Sequence, residues 1–140
     1  MNYSVNIHSD VAVYMQIENH VKFAIASGSL KAGDRLPAVR HMAETLGVNP
    51  NTIAKAYRDL EVMGLVYGRR GTGVFVHKGV RDKCREMCFE ELVRRLHEVS
   101  QEAKAAAWSK GDLAKVVRAS YAAKGGPYDE VPKKVLALAK

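Results

Sequence analysis

The feature that most constrains this chain is the short segment Gly47-Val48-Asn49-Pro50, which lies between two stretches with helical periodicity. Glycine commonly follows the last turn of a helix, asparagine is a favoured N-cap, and proline is tolerated at the first helical position. One helix therefore ends and the next begins within about three or four residues, which is the spacing of a helix-turn-helix. The pattern predicts this motif over about residues 38–58.

The stretches around this turn repeat their apolar residues at steps of three and four, as amphipathic helices do. We expect the first helix of the motif to open at Pro37, and an earlier helix to run from a cap at Ser9 or Asp10 to Gly28. The apolar positions of the motif are Val39, Met42, Ala43, Leu46, Ile53, Ala56, Tyr57 and Leu60. These residues are the predicted core.

The helix predicted over residues 49–63 leaves Asn51, Thr52 and Lys55 off its apolar face. The first turns of a recognition helix are the part that contacts base edges in the major groove. Asparagine can pair with adenine, lysine can reach guanine or a phosphate, and threonine offers a hydroxyl and a methyl group. With Arg40 on the preceding helix, these residues are the predicted DNA contacts of the motif.

A basic β-hairpin is predicted next, over about residues 65–76, because two runs rich in valine and aromatic residues flank a glycine-containing turn. Arginines at a narrow hairpin tip suit phosphates or a narrow minor groove. Its predicted DNA contacts are Arg69, Arg70, Gly71, Thr72 and Gly73. Since so small a hairpin is marginal alone, we expect it to pack on the helices. Residues 1–78 would then form a winged helix-turn-helix domain.

Residues 79–140 are predicted to be a small helical region, so the fold class is mainly α with a small β-wing. A long helix is expected from Val80 to about Ala107, and a shorter one after a break at Trp108. One face of the long helix carries Cys88, Leu92, Leu96, Val99 and Ala103. A single helix cannot bury such a stripe alone, so this region is predicted to pair two copies of the chain.

The net charge of +7 suits a polyanionic partner. Residues 1–78 hold 9 Lys/Arg against 6 Asp/Glu, and residues 79–140 hold 13 against 9, so charge alone does not locate the binding face. No apolar run approaches the roughly 20 residues of a membrane span, and no secretory signal is apparent. The expected location is the cytoplasm, with no membrane partner.

No catalytic motif and no cofactor-binding motif is found, which argues against an enzyme. Cys84 and Cys88 lie one helical turn apart and could share a metal with His77 or His97. A structural zinc site needs four well-placed ligands at characteristic spacings, and those spacings are absent. Apolar positions suit buried thiols better, so we predict no metal and no cofactor.

The sequence resembles the GntR family of bacterial transcription regulators over residues 10–78. The segments that carry the resemblance are Gly33 to Arg40, Leu46 to Thr52, Ala56 to Glu61 and Gly64 to Gly73. It implies a winged helix that contacts DNA through the helix and hairpin residues named above. Ala38 and Pro50 depart from it, because many members have serine and arginine there, and a phosphate or base contact would be lost.

The 62 residues after residue 78 are too few for the larger effector domains of the family, and the chain resembles the YtrA-type subfamily. The resemblance implies a C-terminal part that mainly dimerises, and our leading hypothesis is a homodimeric repressor that binds a pseudo-palindromic double-stranded operator. The sequence does not identify a small-molecule effector, for which the dimer seam is a candidate site. Two alternatives stay open. The winged helix could be a scaffold for a protein partner, or Cys84 and Cys88 could sense metals or oxidants.

Overall fold

The computed structural model describes residues 3–139 and is mainly helical with one β-hairpin, which confirms the predicted fold class. In chain order the elements are α1 (Val13–Ser27), α2 (Val39–Leu46), α3 (Pro50–Val62), β1 (Val66–Arg69), β2 (Gly73–Val76), α4 (Arg81–Ala105), α5 (Lys110–Ala122) and α6 (Lys133–Leu136), with a 3₁₀ turn at Ala137–Ala139. Within the described residues, each helix is either too short or too polar to span a membrane.

An apolar core joins the first three helices to the hairpin in a compact unit that ends at Phe89. The predicted core positions of α3 are all buried, and the apolar face of α1 packs in the same cluster. The fully buried side chains include Ile17, Val21, Ile25, Ile53, Leu60, Leu65, Val66 and Val76. This packing fixes α3 in the unit, so the residues on its other face are presented to solvent.

Two of the predicted helix starts are wrong. Helix α1 begins at Val13 after Ala12, which provides no side-chain cap, while the Ser9 hydroxyl accepts from the Val11 amide at 3.1 Å in the preceding turn. Helix α2 begins at Val39 rather than at Pro37, because Ala38 still has extended backbone, with φ −58° and ψ 142°. The predicted ends are confirmed, since glycines in left-handed conformation follow α1 and α2.

The hairpin pairs β1 with β2 in antiparallel register, and Val66 faces Val76. A short extended segment before α2 adds to the other edge of β2. In this segment the Leu36 amide donates to the Val74 carbonyl at 2.8 Å, and Asp34 accepts from the Val76 amide at 2.9 Å. The hairpin thus gains a third extended neighbour, which is what so small a sheet needs for stability.

The first turns of α4 belong to the same compact unit as the winged helix. Cys84 is fully buried in its core. Arg81 Nε donates to the Ala26 carbonyl at 3.2 Å and Lys83 Nζ donates to the Met63 carbonyl at 2.6 Å. Carbonyls at helix C-termini lack helical partners and attract cations, so these side chains stabilise the ends of α1 and α3. The unit therefore extends past the predicted boundary at residue 78.

The second compact unit begins at Glu90 and contains the rest of α4, α5 and α6. Helix α5 opens with a capping box, in which the Ser109 hydroxyl accepts from the Asp112 amide and the Asp112 carboxylate accepts from the Ser109 amide, both at 3.0 Å. Within residues 90–139, Val135 is the only buried hydrophobic residue. By itself this unit buries very little apolar surface.

Ala107 ends α4 in an unfavourable conformation, and we expect Ala107→Gly to stabilise the protein. Its φ is +63°, and the helix closes with bonds from Ala107 N to Lys104 O at 3.1 Å and from Trp108 N to Ala103 O at 2.9 Å. Glycine is strongly preferred there, and the left-handed conformation costs other residues roughly 1–2 kcal/mol. Urea unfolding should show a gain of about 1 kcal/mol for Ala107→Gly.

The matched control is Ala119→Gly in the interior of α5, which should instead lose about 1 kcal/mol. Equal losses for the two variants would contradict the assignment of strain to Ala107.

Candidate nucleic-acid interface

The start of α3 is built by the asparagine and proline that follow the turn. The Asn49 side chain accepts from the Asn51 amide at 2.8 Å, and Pro50 occupies the first helical position, both as predicted. Gly47, at φ +67°, supplies the left-handed residue that ends α2. The two helices are therefore joined by the short connection of a helix-turn-helix.

Helix α3 divides its residues between the core and solvent. Its apolar face is buried, and the Tyr57 hydroxyl donates to the Pro37 carbonyl at 2.6 Å, which ties α3 to the start of α2. Asn51, Lys55 and Arg58 are exposed and Thr52 is half-buried. Since successive residues are 100° apart around a helix, Asn51 lies near the middle of the exposed face. Lys55 lies on one side of it and Arg58 on the other.

Lys55 is engaged with neighbouring side chains. Its Nζ lies 3.3 Å from Asp59 Oδ2 and 4.5 Å from the centre of the Tyr14 ring on α1. The first contact is an i,i+4 ion pair and the second a cation–π interaction, each of modest energy at an exposed site. The ammonium is thus held at the α1 side of α3, an arrangement that the sequence pattern did not predict.

Arg40 lies in the first turn of α2 and is exposed. The residue before this helix, Ala38, makes no side-chain cap. A serine there would accept a bond from an amide of the first turn, and alanine cannot. This is the local consequence of one of the two departures from the family pattern.

The wing presents Arg69, Arg70, Gly71 and Thr72 to solvent at the tip of the hairpin. The Thr72 amide donates to the Arg69 carbonyl at 2.9 Å and closes the turn. Among residues 3–139 the structure records no ion pair for these arginines or for Arg40. Their guanidinium groups are available to an external anion. Exposed arginines of this kind bind phosphate well, because a guanidinium group can donate two parallel hydrogen bonds to it.

Arg35 is an exposed basic residue beside the wing, and it was not among the DNA contacts predicted from the sequence. It pairs with Phe75 at the edge of β2, and a Cβ at Gly73 would lie only 2.6 Å from its Nε. The φ of +135° favours glycine at this position, and a Cβ there would require the flexible Arg35 side chain to move. The sequence signal for it was the alternation of charged Arg35 with apolar Leu36, which is typical of a strand.

The two cysteines lie in protected positions on α4. Burial raises the pKa of the Cys84 thiol to about 11, and burial likewise raises the pKa of Cys88, which is half-buried. A raised pKa disfavours the thiolate, which is the reactive and metal-binding form. Among the described residues, no group of three or more histidine, cysteine or acidic side chains is placed to hold a metal ion.

Comparison with known proteins identifies the family. The profile described as "Bacterial regulatory proteins, gntR family" matches residues 13–76. The chain is 34% identical over 97 residues to the uncharacterized HTH-type transcriptional regulator YhcF of Bacillus subtilis, a match that covers 65% of this chain and 80% of the relative.

Two further comparisons agree. The HTH-type transcriptional repressor YtrA of Bacillus subtilis is 35% identical over 77 residues, which cover 55% of this chain and 59% of that protein. A GntR family transcriptional regulator from Listeria monocytogenes has a TM-score of 0.62 at 30% identity, with 79% of this chain and 96% of that chain covered. These relatives are named as transcriptional regulators and not as enzymes. The chain therefore belongs to the GntR family, in its YtrA-like branch, and is a DNA-binding transcriptional regulator.

Proposed function

We propose that this regulator is a homodimeric repressor that binds a pseudo-palindromic operator with α3 and the wing of each copy. The observation that carries the DNA-reading part is the exposed polar face of α3 in the same compact unit as a basic wing. In this reading Asn51 and Thr52 contact base edges in the major groove, and Lys55 contacts a base edge or a phosphate. Arg40, Arg69 and Arg70 contact phosphates or the minor groove.

The proposed dimer rests on α4. Leu92, Val93, Leu96 and Val99 form an apolar stripe in which every side chain is between 45% and 55% exposed. The opposite side of the helix is charged, and there Arg94 bridges Glu91 and Glu98 at 2.6 and 2.7 Å. Contiguous exposed apolar surface marks interaction sites, and the 3–4 spacing of Leu92, Leu96 and Val99 is that of a coiled-coil seam.

A second copy is the occupant that we assign to the apolar stripe. Val135 alone is buried within residues 90–139, so this unit needs an outside surface to bury apolar area. Dimeric helix-turn-helix proteins bind two half-sites about one helical turn apart, and a closed two-fold dimer supplies that symmetry. A small-molecule effector bound at this seam would act by changing how the copies pair.

Selection of bound sequences from random DNA tests the whole proposal. We expect an inverted repeat with half-sites about 10 base pairs apart, or a multiple of that spacing. A reporter with this operator over its promoter should be expressed less when the regulator is present, which tests the repressor sense. Salt-insensitive binding to DNA would contradict the operator contacts, because released counterions make such binding strongly salt-dependent.

Asn51→Ala is expected to lower affinity for the selected operator and to relax the base preference at one position of each half-site. Loss of a bidentate base contact costs about 1–3 kcal/mol. Competition gel shifts against operators changed one base at a time would measure both effects. Gln101→Ala, an exposed amide truncation on α4, is the matched control and should bind as the wild type does. Unaltered base preference in Asn51→Ala would remove this residue from the base contacts.

A further inference from the structure

Glu18 is a buried acidic residue in α1 and is not one of the proposed DNA contacts. The residue is only 5% exposed, and Gln16, two positions earlier in α1, is fully buried. Gln16 is well bonded, because it accepts from the Asn6 amide and donates to the carbonyls of Asn6 and Val11, all at 2.8 Å. Glu18 Oε1 instead finds no hydrogen-bond donor among the described residues. A buried carboxylate in this condition is costly, so such groups usually hold a proton.

The groups that face Glu18 come from α3 and from its own helix. Asp59 and Lys55 lie on α3, and Lys22 lies on α1. Burial, followed by the hydrogen bond to Asp59, raises the pKa of Glu18 to about 7 against the lowering effect of the lysines. The same hydrogen bond is the main cause that lowers the pKa of Asp59, with Arg58 among the lesser causes. The shared proton therefore resides on Glu18, and Asp59 is the ionised partner.

Asp59 connects this carboxyl pair to the DNA-facing surface. Its Oδ2 accepts from Lys55 Nζ at 3.3 Å, and that ammonium also lies 4.5 Å from the centre of the Tyr14 ring. Glu18, Asp59 and Lys55 thus form a continuous chain from the core to the exposed edge of α3. A change in the charge of Glu18 therefore reaches Lys55 through Asp59.

We propose that Glu18 is a positioning residue for Lys55, because its neutral carboxyl donates to Asp59, and Asp59 then holds the ammonium at the edge of the DNA-facing surface. This inference rests on the proposed function, in which Lys55 contacts the operator. Loss of the proton places two carboxylates side by side and attracts Lys55 toward α1. It also adds a negative charge near the phosphates. All three effects weaken binding.

Operator affinity measured between pH 6 and 8.5 at constant ionic strength tests the inference. We expect the affinity of the wild type to fall about five- to tenfold over this range, since DNA favours the protonated form of Glu18. Glu18→Gln keeps a donor for Asp59 but cannot ionise. It retains every histidine, so its own pH profile accounts for histidine titration. This variant should lack the Glu18 part of the fall, and Lys55→Ala should bind more weakly with a smaller fall.

The free energy of unfolding of the wild type and of Glu18→Gln, measured without DNA, reports on the buried proton of Glu18 independently of its effect on DNA binding. The unfolded state loses its Glu18 proton near pH 4.5 and the folded state near 7, so the wild type loses stability as the pH rises between these values. The variant should gain relative stability over the same interval and no more above it.

The possible failures are distinguishable. Identical affinity profiles for the wild type and Glu18→Gln would overturn the positioning role, even if the stability difference appears and the operator is bound. A stability difference that does not change with pH would overturn the buried proton itself. Failure to select any operator would instead contradict the proposed function, and the stability measurement would still report on Glu18.

Discussion

Replacing Leu96 with aspartate is expected to convert the proposed homodimer into a monomer and to lower affinity for the full operator by on the order of 100-fold or more. Leu96 lies in the middle of the apolar stripe of α4 and is 45% exposed in the single chain. A charge there would have to be desolvated at the seam without a partner, which is strongly unfavourable. The first compact unit has a hydrophobic core of its own, so the winged helix should stay folded in this variant.

Sedimentation equilibrium would give the oligomeric state of Leu96→Asp, and gel shifts on full and half operators would give the affinities. Half-site affinity should be nearly unchanged, because the proposed DNA contacts lie in the first compact unit. The matched control is Gln101→Asp, which adds the same charge to an exposed position of the same helix and should remain dimeric. A dimeric Leu96→Asp protein would show that the copies do not pair through this stripe.

The second large effect is expected for Arg69→Ala combined with Arg70→Ala at the tip of the wing. Both arginines are exposed at a turn closed by the bond from Thr72 N to Arg69 O. If both contact phosphates, their loss should reduce the slope of log K against log[salt] by about 0.9 per contact in each copy. If either reads a base, about 1–3 kcal/mol of sequence preference is lost as well. We expect operator affinity to fall on the order of 10- to 100-fold.

Titration of this double variant at several salt concentrations distinguishes the two kinds of contact. Arg118→Ala with Lys124→Ala removes the same charge from exposed positions of the second unit. This control should lose little affinity, because neither residue belongs to α3 or the wing, the elements that we propose to contact DNA. Equal losses in both double variants would reduce the role of the wing to net charge alone.

Local sequence signals were sufficient to predict most of the winged helix. Asn49 caps α3 as expected, and Gly47 ends α2 in the left-handed conformation. The apolar spacing of Ile53 and Leu60 identified the buried face of α3. Errors fell at Pro37 and at the start of α1, where the choice between extended and helical backbone shifts by one or a few residues. Such choices depend on packing as much as on the residue type.

The sequence by itself determined the winged helix and the exposed polar face of α3 that we propose to contact DNA, because each depends on capping, turn geometry or periodicity within a few residues. Only the tertiary structure decided which partner each polar side chain has. Lys55 is held by Asp59 and by Tyr14 of another helix, and Arg35 lies against Gly73 across the sheet edge. Glu18 became a buried acid when α1 packed on α3. Charge, burial and hydrogen bonding between distant segments depend on distances in space, which a linear pattern does not contain.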